Sequence, residues 1–387
     1  MRDPQSRRTG DALSSMLFGC LCWAVVTIPL SSCGPALPVQ REAQQAEGGQ
    51  PGAPYSIVCI IHGDGDYLFH DTGGNEYRAD EEALARAQRV AEENPHAEVF
   101  IFHQRPRSHL LLFFSQRDGE FYYYRSGRLI AQESYWRDQE LSRLEPEVEL
   151  YRRFQTVRGR DVVSVFLYCG HEIPEVGGTG YDASYPDRPF TVQGLVDGLQ
   201  GFTRDSARFD LMVLSTCFGG TPYTISALGS AARYVIASPE NLHLSYFDFR
   251  PLERLDLKVQ DGDVLAFARG FARQAFDRLR GDIQTAVSVA VYDVERVQDY
   301  VRAVRGVYEH SLMRPGGATQ SAGAPMERCD CADLPTYVLP TMQAGVDVLY
   351  RPARFGRSQN KPIHSGWECR RERKGPAVTS EIADPGP

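Results

Sequence analysis

Two short segments carry residue types suited to covalent chemistry. Phe209–Gly220 reads FDLMVLSTCFGG, an apolar run that stops at Ser215-Thr216-Cys217 and turns at Gly219-Gly220. Asp161–Gly180 reads DVVSVFLYCGHEIPEVGGTG and has the same form, an apolar run that ends in a Gly-rich loop carrying His171. If both runs are buried parallel strands, Cys217 and His171 reach the same carboxyl edge of one sheet, where open α/β sheets place their chemistry. A thiolate that attacks a carbonyl and an imidazole that delivers a proton to the leaving group are the minimum for thiol catalysis. Singly, Cys217 reads as a packing residue and His171 as a satisfied loop histidine. On matching strand ends the pair favours catalysis. A third cluster, His62-Gly63-Asp64-Gly65-Asp66, offers cation ligands, but its spacing matches no defined metal loop and a turn is expected.

The elements that must position these residues alternate along the chain. Tyr55–Ile61 reads as the first buried strand and Arg78–Asn94 as a helix with one apolar face. Glu98–His103 is a further apolar run. Leu110–Ser115 and Glu120–Tyr124 read as a hairpin closed at Asp118-Gly119. The aromatic run Phe121–Tyr124 is expected to be strand faces rather than a ligand platform. Helices are expected over Arg137–Thr156, Phe190–Phe202, Thr221–Ala232 and Gly262–Leu279, and strands over Arg233–Ser238 and Thr285–Val291. Val294, Val297, Val301 and Val304 predict a helix over Asp293–Tyr308 capped by Asp293, and Leu334–Leu349 predicts one more. Such alternation means a wound α/β sheet. No Gly-rich phosphate loop sits at a strand–helix junction, which disfavours a nucleotide fold.

The composition is globular, with 42% hydrophobic and 11% aromatic residues among 387. A formal net charge of -8, with no long basic run, argues against a nucleic-acid partner. Arg7 and Arg8 precede an apolar stretch, Met16–Ile28, that is short for a membrane span. It ends in Leu30-Ser31-Ser32-Cys33, which resembles the bacterial lipobox; the resemblance implies export, lipidation of Cys33 and anchoring to the cell envelope. An ordinary cleaved signal peptide is the rival reading. The expected organisation is therefore a signal peptide over 1–32, a flexible tether over 33–54, a catalytic domain over 55–350 and an exposed tail over 351–387. Cys59 and Cys169 read as small buried hydrophobes. Cys329, Cys331 and Cys369 lack zinc spacing, so a disulfide or no bond is expected there and no metal.

In order and spacing, these parts resemble the clostripain family of cysteine peptidases. The resemblance rests on the Tyr55–Asp66 strand and loop, the His171 strand end, Phe209-Asp210…Cys217-Phe218-Gly219, Arg233–Glu240 (RYVIASPE) and Asp330…Asp333-Leu334. It implies a caspase-like wound sheet, mostly parallel, with helices on both faces. It also implies Cys217 as nucleophile, His171 as general acid/base, and the backbone N–H groups of Glu172 and Cys217 as the oxyanion hole. Ser215 and Asp66 fall at the substrate pocket. A protein or peptide is the implied substrate, and no cofactor is implied beyond a calcium dependence carried by resemblance alone. Glu172 stands where the family has Gly. Ser215 stands where relatives commonly carry an Asp linked to Arg or Lys preference, so that charge is gone. Family members mature by cutting a loop, which here points to the neighbourhood of Arg188. The alternatives are an inactive caspase-like lipoprotein that acts as a surface binding module, and a hydrolase of non-peptide acyl groups.

Overall fold

Strands without a polar face must be covered on both sides, and the centre of this molecule is built from such strands. The computed structural model describes residues 55–65, 67–70, 74–110, 114–137, 144–156, 162–203, 208–243, 245–255, 264–313 and 326–372. All lie within the unit that spans Gly49–Pro387. The proposed signal segment 1–32, Cys33 and the tether fall outside the described residues, as do Asp66, residues 314–325 and the last fifteen positions.

The chain begins with β1 (Tyr55–His62), buried at every position, followed by a small ribbon of β2 (Leu68–His70) and β3 (Glu76–Arg78). Helix α1 (Ala79–Glu92) leads into β4 (Ala97–Gln104), a second ribbon of β5 (His109–Leu110) and β6 (Phe114–Ser115), and then β7 (Gly119–Arg125) and β8 (Arg128–Tyr135). Next come α2 (Glu145–Phe154), β9 (Val163–Cys169), α3 (Val192–Leu199), β10 (Phe209–Ser215), α4 (Pro222–Ala227) and β11 (Ala232–Ala237). The last part holds α5 (Val264–Asp282), β12 (Val287–Asp293), α6 (Gln298–Met313), β13 (Met326–Asp330), β14 (Val346–Arg351) and β15 (Glu368–Glu372).

Nine strands form one sheet in the order β14-β12-β11-β10-β9-β1-β4-β7-β8. The five central strands, β4, β1, β9, β10 and β11, are parallel, and antiparallel strands extend the sheet at both ends. From β1 the chain winds outward to β8, then returns to β9 on the other side of β1, so the winding direction reverses at the β1–β9 boundary. Ligands bind at such a reversal in open α/β sheets. Alternate strand residues bury against two layers. Val58, Phe166 and Met212 face α2, α3, α4 and α6, whereas Ile57, Val165 and Leu211 face α1 and α5. The expected caspase-like sheet, largely parallel with helices on both faces, is what the chain forms.

Several sequence expectations need correction. Phe121–Tyr124 lies in β7 as a buried strand, but the hairpin partner of β7 is β8, joined through Ser126 and Gly127 at positive φ. The preceding ribbon is the separate β5–β6 pair, which leaves Asp118-Gly119 as the entry to β7 rather than a hairpin tip. Asp293 ends β12, and α6 begins only at Gln298; the Asp293 carboxylate caps a turn by accepting from the Arg296 N–H at 3.3 Å. Leu334–Leu349 is not a helix. Short 3₁₀ turns lead from it into β14, whose half-buried residues pair with β12 at the sheet edge.

The largest correction concerns residues 351–372, expected to be an exposed tail. Trp367 is fully buried against Tyr292 and Tyr300, at ring separations of 5.0 and 4.8 Å. Its indole N–H donates to the Met342 carbonyl at 2.8 Å. β15 then pairs with β13, and a disulfide joins Cys331 to Cys369. The folded domain therefore extends to at least Glu372, because a buried tryptophan and a cross-linked ribbon belong to the core.

Candidate active site

The register of β9 against β10 decides where the two candidate side chains lie. Cys169 pairs with Ser215 across the last step of the ladder. His171 and Cys217 each stand two residues beyond that pair, on strands about 4.8 Å apart. The Gly170 N–H donates to the Ser215 carbonyl at 3.4 Å, which carries the pairing one step past the strands. Cys217 is partly buried, and β1, whose end carries His62 to Gly65, flanks β9 on its far side. Cys169 and Cys59 are buried within the sheet, where burial pushes both thiols up, Cys59 to about 12. They are packing residues, as expected.

The turn after Cys217 is held tightly. Phe218 adopts φ +52°, the left-handed region that costs a residue with a Cβ roughly 1–2 kcal/mol. A Cβ at Gly220 would run into the Tyr292 hydroxyl and come within 3.0 Å of Pro239. Thr221 accepts from the Thr224 N–H at 3.0 Å and caps α4, with Pro222 at the helix start. Strained turn, glycine and cap together fix the backbone on which Cys217 is carried.

His171 is placed by Tyr67, a residue that no motif marks. The Tyr67 ring stacks on the imidazole at a centroid distance of 4.4 Å, and its hydroxyl accepts from the His171 N–H at 3.1 Å. The same hydroxyl meets His62 Nδ1 at 2.8 Å. Burial, followed by the charge of Arg137, holds His62 well below the usual histidine range. Asp64 is occupied elsewhere. It accepts from Arg137 at 2.8 Å and from the Ser184 hydroxyl at 2.9 Å. The His62–Asp66 segment is thus a turn bound to its own protein, although Asp66 itself lies outside the described residues.

Ser215 is fully buried, and its hydroxyl accepts from the Phe247 N–H at 2.8 Å. It supports the loop after β11 and offers no open wall to a substrate. Glu172, which stands where the family has Gly, is held by two arginines. Arg328 of β13 forms an ion pair with it, and Arg370 of β15 lies at 3.4 Å. Arg328 also bonds Glu368 at 3.0 Å and spreads its guanidinium over the Phe218 ring at 4.1 Å. One side chain from the disulfide-closed ribbon therefore touches the residue after His171 and the residue after Cys217. A cavity of about 10 Å³ beside the thiol is walled by Ile173, Val192, Leu195, Leu214 and Leu228. Arg188 is spent on Asp182 at 3.0 Å and on the Tyr185 ring at 4.9 Å, while its neighbours Pro186, Asp187 and Pro189 are exposed.

The thiol of Cys217 donates to Asn241 Oδ1 at 3.2 Å and accepts from the Leu242 N–H at 3.3 Å. Burial pushes it up, while the N–H groups of Leu242 and His243 pull the other way. Sequence reasoning missed Asn241, Tyr67 and Arg328, since single residues on loops and a late ribbon carry no periodic signal.

Comparison with solved structures settles the fold. An inactive zymogen C11 protease from Parabacteroides distasonis superposes with a TM-score of 0.53 at 13% identity, covering 83% of this chain and 93% of that one. The chain has the clostripain-like caspase fold. A secreted C11 cysteine protease from Bacteroides thetaiotaomicron also matches, with a TM-score of 0.46 at 10% identity over 67% of this chain and 72% of that one. No family profile matches the chain, and neither does any curated protein. Among the described residues no helix is long and apolar enough to cross a membrane.

Proposed function

We propose that this protein is a cysteine endopeptidase of clostripain type, with Cys217 as nucleophile and His171 as general acid/base. The observation that carries the reading is the shared position of the two side chains, each two residues beyond the β9–β10 register pair Cys169–Ser215 and next to the β1–β9 winding reversal of a caspase-like sheet. The Cys217 thiolate attacks the scissile carbonyl carbon and forms a C–S bond, and the carbonyl oxygen takes up the negative charge. Imidazolium at His171 gives its proton to the leaving amine as the C–N bond breaks, and water then hydrolyses the thioester. Among the described residues no hydrogen bond occupies the Glu172 or Cys217 N–H, so both are free to receive the oxyanion.

The family's acid two residues before the nucleophile is replaced here by a buried serine hydroxyl bonded to the main chain. Nothing at that position would pair with a basic side chain, so cleavage after Arg or Lys is disfavoured. We place the protein outside the cell membrane, tethered through lipid at Cys33, on the strength of the lipobox-like sequence. A library of peptide acyloxymethyl ketones tests the assignment. Wild type should be labelled at Cys217, and Cys217→Ala and His171→Ala should not. Absence of labelling under reducing conditions, with and without calcium, would leave the inactive binding module as the better account.

A further inference from the structure

The thiol of Cys217 is engaged by one loop, residues 238–243, which follows β11. Asn241 Oδ1 accepts from the thiol at 3.2 Å and from the His243 N–H at 2.7 Å. The Leu242 N–H donates to the sulfur at 3.3 Å. The loop is itself braced. The Ser238 hydroxyl donates to the Glu240 carbonyl at 2.9 Å and accepts from the Glu240 N–H at 3.1 Å. The Phe218 N–H donates to the same carbonyl at 3.2 Å, and the His243 imidazole meets the Thr285 hydroxyl at 3.0 Å. His243 adopts φ +48°, a turn conformation the Asn241 side chain helps to hold.

The two contacts on the sulfur act in opposite senses. An oxygen that accepts from S–H favours the neutral thiol, whereas an N–H aimed at the sulfur favours the thiolate. We propose that Asn241 is a positioning residue that sets the protonation of Cys217, holding the resting thiol while the Leu242 amide stands ready to receive the thiolate. This rests on the reading of Cys217 as the nucleophile. When the thiol ionises, its proton passes to imidazole or solvent, the Asn241 contact is lost and the Leu242 contact shortens. The charged groups that act on the sulfur are Glu172 and Arg328, an ion pair whose two charges oppose each other there. The Glu240 carboxylate is 3.6 Å from His364.

Iodoacetamide alkylation as a function of pH, resolved by peptide mass spectrometry, reads Cys217 separately from the half-exposed Cys329. Asn241→Asp keeps both acceptor contacts and adds a charge, so the Cys217 midpoint should rise by about one pH unit or more. The Cys329 midpoint should stay in place. Asn241→Ser withdraws from the sulfur but still caps the His243 N–H, so its midpoint should fall by up to about one unit. Opposite shifts support the proposal. Midpoints within about a third of a unit of wild type in either folded variant overturn it. Failure of peptide probes to label wild type, with these shifts intact, would refute the peptidase reading alone.

Discussion

Removal of one oxygen from Tyr67 tests how firmly the fold holds the proposed acid/base. In Tyr67→Phe the ring remains, so the stack on His171 at 4.4 Å is kept. What goes is the hydroxyl that accepts from the His171 N–H at 3.1 Å and meets His62 Nδ1 at 2.8 Å. His62 is 2% exposed and Tyr67 1%, so water cannot replace the missing partner at His62. A buried polar group left without its partner costs ~1–3 kcal/mol, and the recovered desolvation of the hydroxyl offsets part of the two losses. A net destabilisation of about 2 kcal/mol follows. Guanidinium denaturation gives this number directly from the midpoint shift at constant slope. The rate constant of probe labelling at Cys217, measured in parallel on folded protein, should drop several-fold because the His171 main chain is no longer pinned. A variant that denatures at the wild-type midpoint and is labelled at the wild-type rate would refute the claim that Tyr67 places His171.

Two further outcomes follow from the carboxyl-terminal ribbon. The Cys331–Cys369 disulfide closes a loop across 38 positions, for which loop-closure entropy gives about 4 kcal/mol. Cys331→Ala with Cys369→Ala should lower the denaturation midpoint accordingly and make it insensitive to reductant; a midpoint equal to that of oxidised wild type contradicts this. Burial raises Glu368 from its ordinary value to about 8, against the pull of Arg328 and Arg370. A carboxyl raised on folding contributes stability that is complete below its unfolded value near 4.5 and is lost as pH climbs through about 8. Glu368→Gln, fixed in the neutral form, should therefore gain in melting temperature relative to wild type between pH 5 and 8. A constant difference over that window rules the account out.

The sequence displays its central strands because burial on both faces leaves unbroken apolar runs. Tyr55–Ile61, the LMVL of β10 and the VFLY of β9 could be nothing else, and the candidate cysteine and histidine follow directly on two of them. The edges were harder. β8 reads RLIAQESY and is mostly exposed, and half-buried β14 carries enough aliphatic residues to mimic a helix face. Long-range pairing explains the mistaken tail. β15 finds its partner about forty residues upstream, and nothing local to Glu368–Glu372 announces it. The supporting residues of the site failed for a different reason. Tyr67, Asn241 and Arg328 act through single contacts set by tertiary structure, and neither period nor spacing encodes them.

The ribbon that closes over Phe218 has a consequence for the order in which the molecule is made. Arg328 reaches the two site residues from a strand that is complete only when Glu368–Glu372 has arrived to pair with it. A chain that emerges amino end first exposes Cys217 long before that closure can form. During synthesis, then, the site waits on Glu368–Glu372, which is made well after Cys217. A product cut short before Trp367 lacks the indole that anchors the ribbon to Tyr292 and Tyr300. Tags and fusions therefore belong beyond Glu372.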